Sequence, residues 1–334
     1  MQSLADFDFT LPPELIAQQP LTDRAASRML VVDRAAGTWS HQQFRDFTSH
    51  LHPGDCVVLN ESRVFPARLI GRRPGFEGRV EVFLVRPVAS VADGLTWLCL
   101  VHPGRKVRTG DTVEFDGGLS ATVLGRDGHG ERTLRFTAAG GFWETVETIG
   151  HVPLPPYIRR DDAASDRERY QTVFARERGS VAAPTAGLHF TPEILAACPS
   201  TARVTLHVGL GTFQPLRSQN LDEVALHSET YSISDESAAA MRAARRLVAV
   251  GTTVVRTLET AGTIPGSGET SLFIRPGFDF RHTGAMLTNF HLPKSSLFVL
   301  VCAFGGTELM KEAYAAAVAD GYRFFSYGDC MLIV

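Results

Sequence analysis

The sequence predicts an α/β fold, a mostly parallel sheet covered by helices, interrupted by an inserted all-β barrel. Three observations lead there. From about Pro155 onward, strand-like and helix-like segments alternate, the pattern of a doubly covered parallel sheet. Between Asp55 and Pro155, short β-rich runs (CVVLN, PARLIG, RVEVFLV, LTWLCLV, DTVEF, SATVLG, RTLRF) follow one another between Gly, Asp and Pro. No long amphipathic helix intervenes before Phe142–Ile149, so this stretch reads as a small barrel or sandwich. Finally, SRMLVVD (27–33) is a buried-strand pattern that precedes the β-rich stretch, and it belongs most simply to the same layer as the later strands. The expected division is an α/β catalytic domain from 1–60 and 156–334, with the barrel at 61–155.

In chain order, Phe7 to Pro20 is proline-rich and irregular. His41–His50 reads as a short helix stopped before Pro53-Gly54. Thr191-Pro192-Glu193 is a helix start, with Thr as N-cap and Pro at the first helical position. Arg203–Val208 is a strand running into Gly209. Ser234 caps a helix whose first turn is acidic and whose last turn carries Arg242, Arg245 and Arg246, the order that suits the helix dipole. Leu247–Val250 and Leu272–Ile274 read as strands. Ser295 or Ser296 caps an apolar helix from Leu297, stopped by Gly305-Gly306. Thr307–Asp320 is the last helix and Tyr322–Ser326 the last strand.

The chain has 334 residues and a net charge of −3 at pH 7, so it lacks a whole-chain basic footprint for nucleic acid. Arginines do cluster locally, at Arg63, Arg68, Arg72, Arg73 and Arg79 and again at Arg159 and Arg160, while Lys106, Lys294 and Lys311 are the only lysines. Such clusters are either solvated faces or a phosphate-binding stripe. The longest apolar run, Leu297–Phe304, is far too short for a membrane span, and Met1–Thr10 is not a secretory signal. Five scattered cysteines, none in a C-x-x-C pair, fit a reducing cytosol rather than a disulfide framework or a zinc knuckle.

Five segments are unlike structural filler. GSVAAPTAGLHFT (179–191) is a run of small residues carrying a lone His189 just before a helix, suited to close backbone approach to a ligand or to an ordinary core-closing loop. VTLHVGLGTFQPL (204–216) is a strand followed by Gly-Leu-Gly-Thr, the layout of a ligand site beyond a parallel strand. It lacks the third glycine of a dinucleotide fingerprint, where Gln214 stands. LHSETY (226–231) puts His227 and Glu229 two apart, on one face if extended, so that the carboxylate could orient the imidazole as a general base or the two could be a surface pair. TNFHLPKSS (288–296) holds Asn289, His291 and Lys294 around a proline turn. YRFFSYGDCMLI (322–333) is aromatic, as core or as a base-stacking surface. The spacing of His189, His207, His227 and His291 does not make a metal site, and no Walker loop, G-x-S-x-G or kinase signature is present.

Together these segments resemble the S-adenosylmethionine:tRNA ribosyltransferase-isomerase family of queuosine biosynthesis, nearly end to end. The matching stretches include DFDFTLPPELIAQQP (6–20), PGDCVVLNESRVFPARLIG (53–71), PLPPYIRR (153–160), RYQTVFA (169–175), the five segments above and VAVGTTVVRTLE (248–259). Glu61-Ser62 and Phe65 are mild departures from the family's usual Asp-Thr and Ile, and the connections Ala196–Arg203 and Ala261–Glu269 look short.

The resemblance implies an α/β domain with an inserted barrel. It also implies transfer and isomerisation of the ribosyl part of S-adenosylmethionine onto 7-aminomethyl-7-deazaguanine at the tRNA wobble position. The products are epoxyqueuosine-tRNA, adenine and methionine. S-adenosylmethionine is then a consumed substrate, and no metal or further cofactor is expected. A cytoplasmic monomer is the expected setting.

Such chemistry needs a base to remove a proton beside the sulfonium and a surface to hold the anticodon arm. The candidates for proton transfer are His189, His207, His227, Glu229 and His291, with His189 or His227 favoured as the base. Thr185, Gly187, Gly209, Gly211, Thr212, Thr252 and Thr253 are candidates for the donor. Arg63, Arg68, Arg159 and Lys294 are candidates for phosphate, and Tyr157, Tyr170 or Phe213 for stacking on the extruded base. The rival readings are a S-adenosylmethionine-dependent tRNA methyltransferase, against which the missing glycine fingerprint counts, and a non-catalytic tRNA-binding protein, against which the weak basicity counts.

Overall fold

The computed structural model describes residues 3–88, 95–126, 130–209, 216 and 218–334. The chain begins with irregular backbone and short 3-10 turns at Leu4–Phe7 and Pro13–Leu15, then forms β1 (Arg28–Asp33), β2 (Thr38–Gln43) and β3 (Asp55–Asn60). β4 (Ser62–Val64) leads into β5 (Arg68–Arg72), β6 (Arg79–Pro87), β7 (Thr96–His102), β8 (Thr112–Phe115), β9 (Leu119–Arg126) and β10 (Arg132–Ala138), followed by α1 (Phe142–Ile149). The second half carries α2 (Asp166–Arg169), β11 (Glu177–Ser180), a 3-10 turn at Thr185–His189, α3 (Pro192–Ala196), β12 (Thr201–Leu206), β13 (Glu229–Ile233) and α4 (Asp235–Ala243). It ends with β14 (Arg246–Val250), α5 (Thr252–Ala261), β15 (Gly266–Thr270), β16 (Ala285–Asn289), α6 (Ser296–Gly305), α7 (Thr307–Ala319) and β17 (Cys330–Ile333).

Nine of the described strands form one sheet in the order β15-β13-β12-β3-β14-β16-β17-β1-β2. Its central pairings, β12–β3, β3–β14 and β14–β16, are parallel, as is β17–β1. The pairings β15–β13, β13–β12, β16–β17 and β1–β2 are antiparallel. The sheet is therefore mixed, with three of its four parallel pairings adjacent at its centre. Central strands read as continuous apolar runs because both faces are covered. In β3, Cys56 and Val58 pack on the side of α4 to α7, while Val57 and Leu59 face the 3-10 turns and α3.

Between β3 and the second half of the sheet, β10-β7-β6-β5-β8-β9 close into a barrel. Closure leaves no unpaired sheet edge. Alternate residues such as Val80, Val82 and Leu84 of β6 point inward, and Phe142 and Val146 of α1 pack on the same core. β4 lies outside the barrel and pairs with β11 in a short parallel ribbon.

Local capping rules place several helices correctly. Thr191, Ser234 and Ser295 each accept a hydrogen bond from a backbone N–H of the first helical turn. Three readings need correction. His41–His50 is not one helix: Thr38–Gln43 is an edge strand paired with β1, and Phe44–His50 is a 3-10 turn. Leu272–Ile274 is not a strand; the strand of that region is Gly266–Thr270, paired with β13. Tyr322–Ser326 forms a turn in which Phe325 has φ +72°, and the last strand is Cys330–Ile333.

The barrel core is distinct from the two cores of the α/β sheet. Leu134→Ala, at a fully buried barrel position, should cost the barrel about 2–5 kcal/mol. Urea unfolding followed by separate probes should then show the barrel melting before the sheet; one coincident transition would mean that the two cores unfold as a unit.

Candidate active site

The chain leaves β3 for the barrel and returns by β12 on one side of it, while β14 lies on the other side. This reversal is a topological switch point, and ligands of open α/β sheets bind outside the carboxyl ends of the strands there. Asn60, the last residue of β3, sits at its centre and is 1% exposed. Its Oδ1 accepts the N–H groups of Ser62 and Leu206, each at 3.1 Å. Its Nδ2 donates to Leu206 O at 3.0 Å and to Thr253 Oγ1 at 3.3 Å. One amide thus joins the end of β12, the start of the barrel connection and the first turn of α5.

Four of the singled-out segments converge here. Gly251 (φ +93°) turns β14 into α5, whose first turn holds buried Thr252 and Thr253 and has no side-chain cap. The left-handed turn favours glycine. The 3-10 turn Thr185–His189 lies over the sheet, where His189 Nε2 meets Asn289 Oδ1, 3.3 Å away at the end of β16. Gly187 is packed so closely that a Cβ there would fall 2.7 Å from Phe174 and 2.8 Å from Thr172. Beyond β12, the N–H of Gly209 donates to Glu229 Oε1 at 3.1 Å, and Glu229 Oε2 is ion-paired with the buried Arg256 of α5. Thr185 stands half-buried at the head of its turn. Gly211, Thr212 and Phe213 lie outside the described residues.

The histidines separate by burial. His189 is 3% exposed, and its Nδ1 faces Ser27 Oγ at 2.7 Å. Asn289 Nδ2 donates to Phe325 O, which leaves its oxygen facing the imidazole Nε2, while the Ser27 hydroxyl against Nδ1 also lies 3.1 Å from its acceptor Arg24 O. Burial lowers the pKa of His189 to about 4, only partly opposed by Asn289 and Asp329, so it is a neutral ring with both nitrogens engaged. It forms part of the wall of a small cleft with Arg24, Ser27, Arg169 and Tyr327. His291 is buried as well, bonded through Nε2 to Thr288 Oγ1 at 2.8 Å, and burial pushes its pKa to about 3. His227 is exposed, whereas Glu229 turns inward to Arg256 and Gly209. The expected His227–Glu229 dyad is therefore replaced by a buried Glu229–Arg256 pair. His207 is half-buried beside Gly179, and burial lowers its pKa against the opposing effect of Glu177.

The residues expected to meet RNA also divide. Arg63 and Arg159 are exposed, and no acceptor for either guanidinium occurs among the described residues. Arg68 is ion-paired with Glu81 at 3.0 Å, and Lys294, in a left-handed conformation at φ +55°, is ion-paired with Asp8 at 2.6 Å. Tyr170 is fully buried with its ring 5.9 Å from that of Tyr327, so it cannot stack on an extruded base. Tyr157 is half-buried against Phe325, at a ring separation of 4.1 Å. Beside them, Asp166 is 1% exposed and accepts from both terminal nitrogens of Arg160, from Tyr327 Oη and from Ala163 N. Among the described residues no group of three or more His, Cys, Asp or Glu is placed to hold a metal ion, and no helix is long and apolar enough to cross a membrane.

The comparison with known proteins agrees with this layout. A family model described as queuosine biosynthesis protein matches residues 4–333. The chain belongs to the queuosine biosynthesis protein family. The S-adenosylmethionine:tRNA ribosyltransferase-isomerase of Solibacter usitatus is 58% identical over 99% of this chain and 100% of that protein. The enzyme of the same name from Symbiobacterium thermophilum is 50% identical over 99% of each chain. The crystal structure of the S-adenosylmethionine tRNA ribosyltransferase of Thermotoga maritima superposes with a TM-score of 0.55 at 37% identity, covering 98% of this chain and 100% of that one. The chain is thus an enzyme of this family, with the family's large mixed sheet and closed barrel.

Sequence reasoning missed three members of this site: Asn60, Arg256 and Gly179. Each acts through partners far away in the chain; Gly179 opens the small-residue run 179–191, but the ring that requires it comes from another strand.

Two outcomes follow from this geometry. Asn60→Ala leaves the N–H groups of Ser62 and Leu206 without their acceptor and should cost about 1–3 kcal/mol for each group left unsatisfied, read by urea denaturation; an unchanged midpoint would contradict the role given to the amide. Burial alone would raise the pKa of Asp166, but its hydrogen bonds from Arg160, Ala163 N and Tyr327 outweigh it and hold the carboxyl low. That contribution is complete above about pH 5 and is lost as pH falls through the aspartate range, so Asp166→Asn should flatten the loss of stability between neutral and acidic pH.

Proposed function

We propose that this chain transfers and isomerises the ribosyl moiety of S-adenosylmethionine onto 7-aminomethyl-7-deazaguanine at the wobble position of a tRNA. The products are epoxyqueuosine-tRNA, adenine and methionine. What carries the reading is the convergence, at the carboxyl ends of β12, β3, β14 and β16, of GSVAAPTAGLHFT, the start of HVGLG, GTT and TNFH, the segments that carry the family likeness.

The chemistry suits a sheltered strand-end site. The sulfonium acidifies the neighbouring ribose carbon, a base removes that proton, and ring opening lets adenine leave. Gly209 and the Gly251–Thr253 turn offer close backbone approach to the donor. S-adenosylmethionine is consumed, and the chain needs no metal or further cofactor for this reaction. The expected setting is the cytoplasm, with the protein acting as a monomer. The anticodon loop must present its base splayed out, as RNA-modifying enzymes require. Arg63 and Arg159 are suited to phosphate contacts because their guanidinia are exposed and uncommitted among the described residues.

Precursor tRNA incubated with the protein and S-adenosylmethionine should yield epoxyqueuosine by mass spectrometry, with adenine and methionine released in equal amounts. Release of S-adenosylhomocysteine with a methylated tRNA, or no conversion at all, would contradict the proposal. Arg63→Ala and Arg159→Ala should each weaken tRNA binding across tRNA sequences and reduce the log–log salt slope by about one; unchanged slopes would remove these residues from the RNA surface.

A further inference from the structure

Among the four histidines gathered near the strand ends, one differs from the rest. His189 has both ring nitrogens engaged, His291 is tied to Thr288, and His227 stands in solvent. The ring of His207 is sheltered, and its Nδ1 is buried with no hydrogen-bond partner among the described residues. A buried nitrogen left without a partner is costly and calls for an explanation.

The ring's position is built into the backbone. A Cβ on Gly179 would fall 2.6 Å from Cε1 and Nδ1 of His207 and 2.9 Å from Nε2, so the imidazole occupies the space that any other residue at 179 would fill. The β11–β4 ladder shifts register at this point, between Arg178 and Ser180, the kind of bulge that re-aims neighbouring groups beside functional sites. Both flanks are fastened. Ser180 Oγ accepts from Val208 N at 2.9 Å and donates to Ser62 Oγ at 2.9 Å, and His207 N donates to Thr230 O at 3.1 Å. Next in the chain, Gly209 is held by Glu229. The backbone on both sides of the ring is therefore fastened before any ligand arrives, and the ring itself packs on Gly179, which limits the positions open to it. Its depressed basicity keeps it in the neutral, proton-accepting form at neutral pH.

We propose that His207 is the base that removes the 5′ proton of S-adenosylmethionine. This rests on the ribosyl-transfer reading above. The C5′–H bond breaks and an N–H bond forms at Nδ1, giving an imidazolium. The electron pair stays on C5′ as an ylide stabilised by the adjacent sulfonium. His189 and His291 then serve as framework, and the glycine at 179 exists to seat the base.

The test uses the full-length protein with His207→Gln, His207→Ala and Gly179→Ala. Donor affinity and tRNA affinity are measured by equilibrium binding, and ribosyl transfer by single turnover with S-adenosylmethionine carrying hydrogen or deuterium at the 5′ carbon. The proposal expects both affinities to stay within about threefold of wild type while transfer falls by about 10²–10⁴-fold in the His207 variants. Their deuterium isotope effect should be at least as large as in wild type, because C–H cleavage becomes the slow step. Gly179→Ala, which displaces the imidazole without removing it, should slow transfer as well. His207 variants that transfer at rates near wild type would overturn the assignment. So would a loss of transfer matched by an equal loss of donor binding, or one with the isotope effect abolished. If wild-type protein transfers no ribosyl group, the functional reading itself fails, and that is visible before any variant is compared.

Discussion

The arrangement at the carboxyl ends of the central strands depends on the side-chain amide of Asn60. A neutral amide offers two donor hydrogens and two acceptor lone pairs, and here all four are used, on Ser62, on both backbone groups of Leu206 and on Thr253. The location matters as much as the count. At a switch point the neighbouring strands lead their connections away in opposite directions, so the sheet tends to open there. A buried amide bridging the gap sets how far it opens, and its bonds gain strength from the low dielectric around them. Thr253 at the head of α5 and Leu206 at the end of β12 are both held in place by this arrangement.

Electrostatics divides the polar residues near this end into framework and chemistry. Glu229 and Arg256 lie buried against each other, and the carboxylate also anchors Gly209 N. Removing either partner would strand a buried charge, which costs far more than the pair itself contributes. His189, between Ser27 and Asn289, serves as a neutral hydrogen-bonding spacer that ties the GLHF turn to the end of β16. These groups keep the shape of the site. His207 differs in having a buried Nδ1 with no hydrogen-bond partner among the described residues, the observation on which its proposed role rests.

Much of the architecture was legible in the sequence because local rules govern it. The caps Thr191, Ser234 and Ser295, the Phe142–Ile149 helix and the β-rich texture of the barrel all follow from nearest-neighbour chemistry. Strand β2 escaped notice because TWSHQQ is an exposed edge with no apolar alternation. The aromatic run Tyr322–Phe325 imitates a strand because its residues are largely buried, yet they are buried in a turn. At the candidate site, the motifs meet at one end of the sheet, but they do not reveal the partners within it. Asn60 meets residues 146 and 193 positions away, and Glu229 pairs with Arg256 rather than with its near neighbour His227. Gly179 opens the small-residue run 179–191, but its particular reason, the ring of His207, is supplied by a different strand. Tyr170 has the right chemistry for stacking and the wrong depth.

The proposed function places a donor pocket at the carboxyl ends of β12, β3 and β14. A crystal structure of the protein with S-adenosylmethionine bound tests it most directly. The ligand is expected between Gly209 and the Gly251–Thr253 turn, with its 5′ carbon facing His207. A donor found at the opposite end of the sheet, or within the barrel, would contradict it.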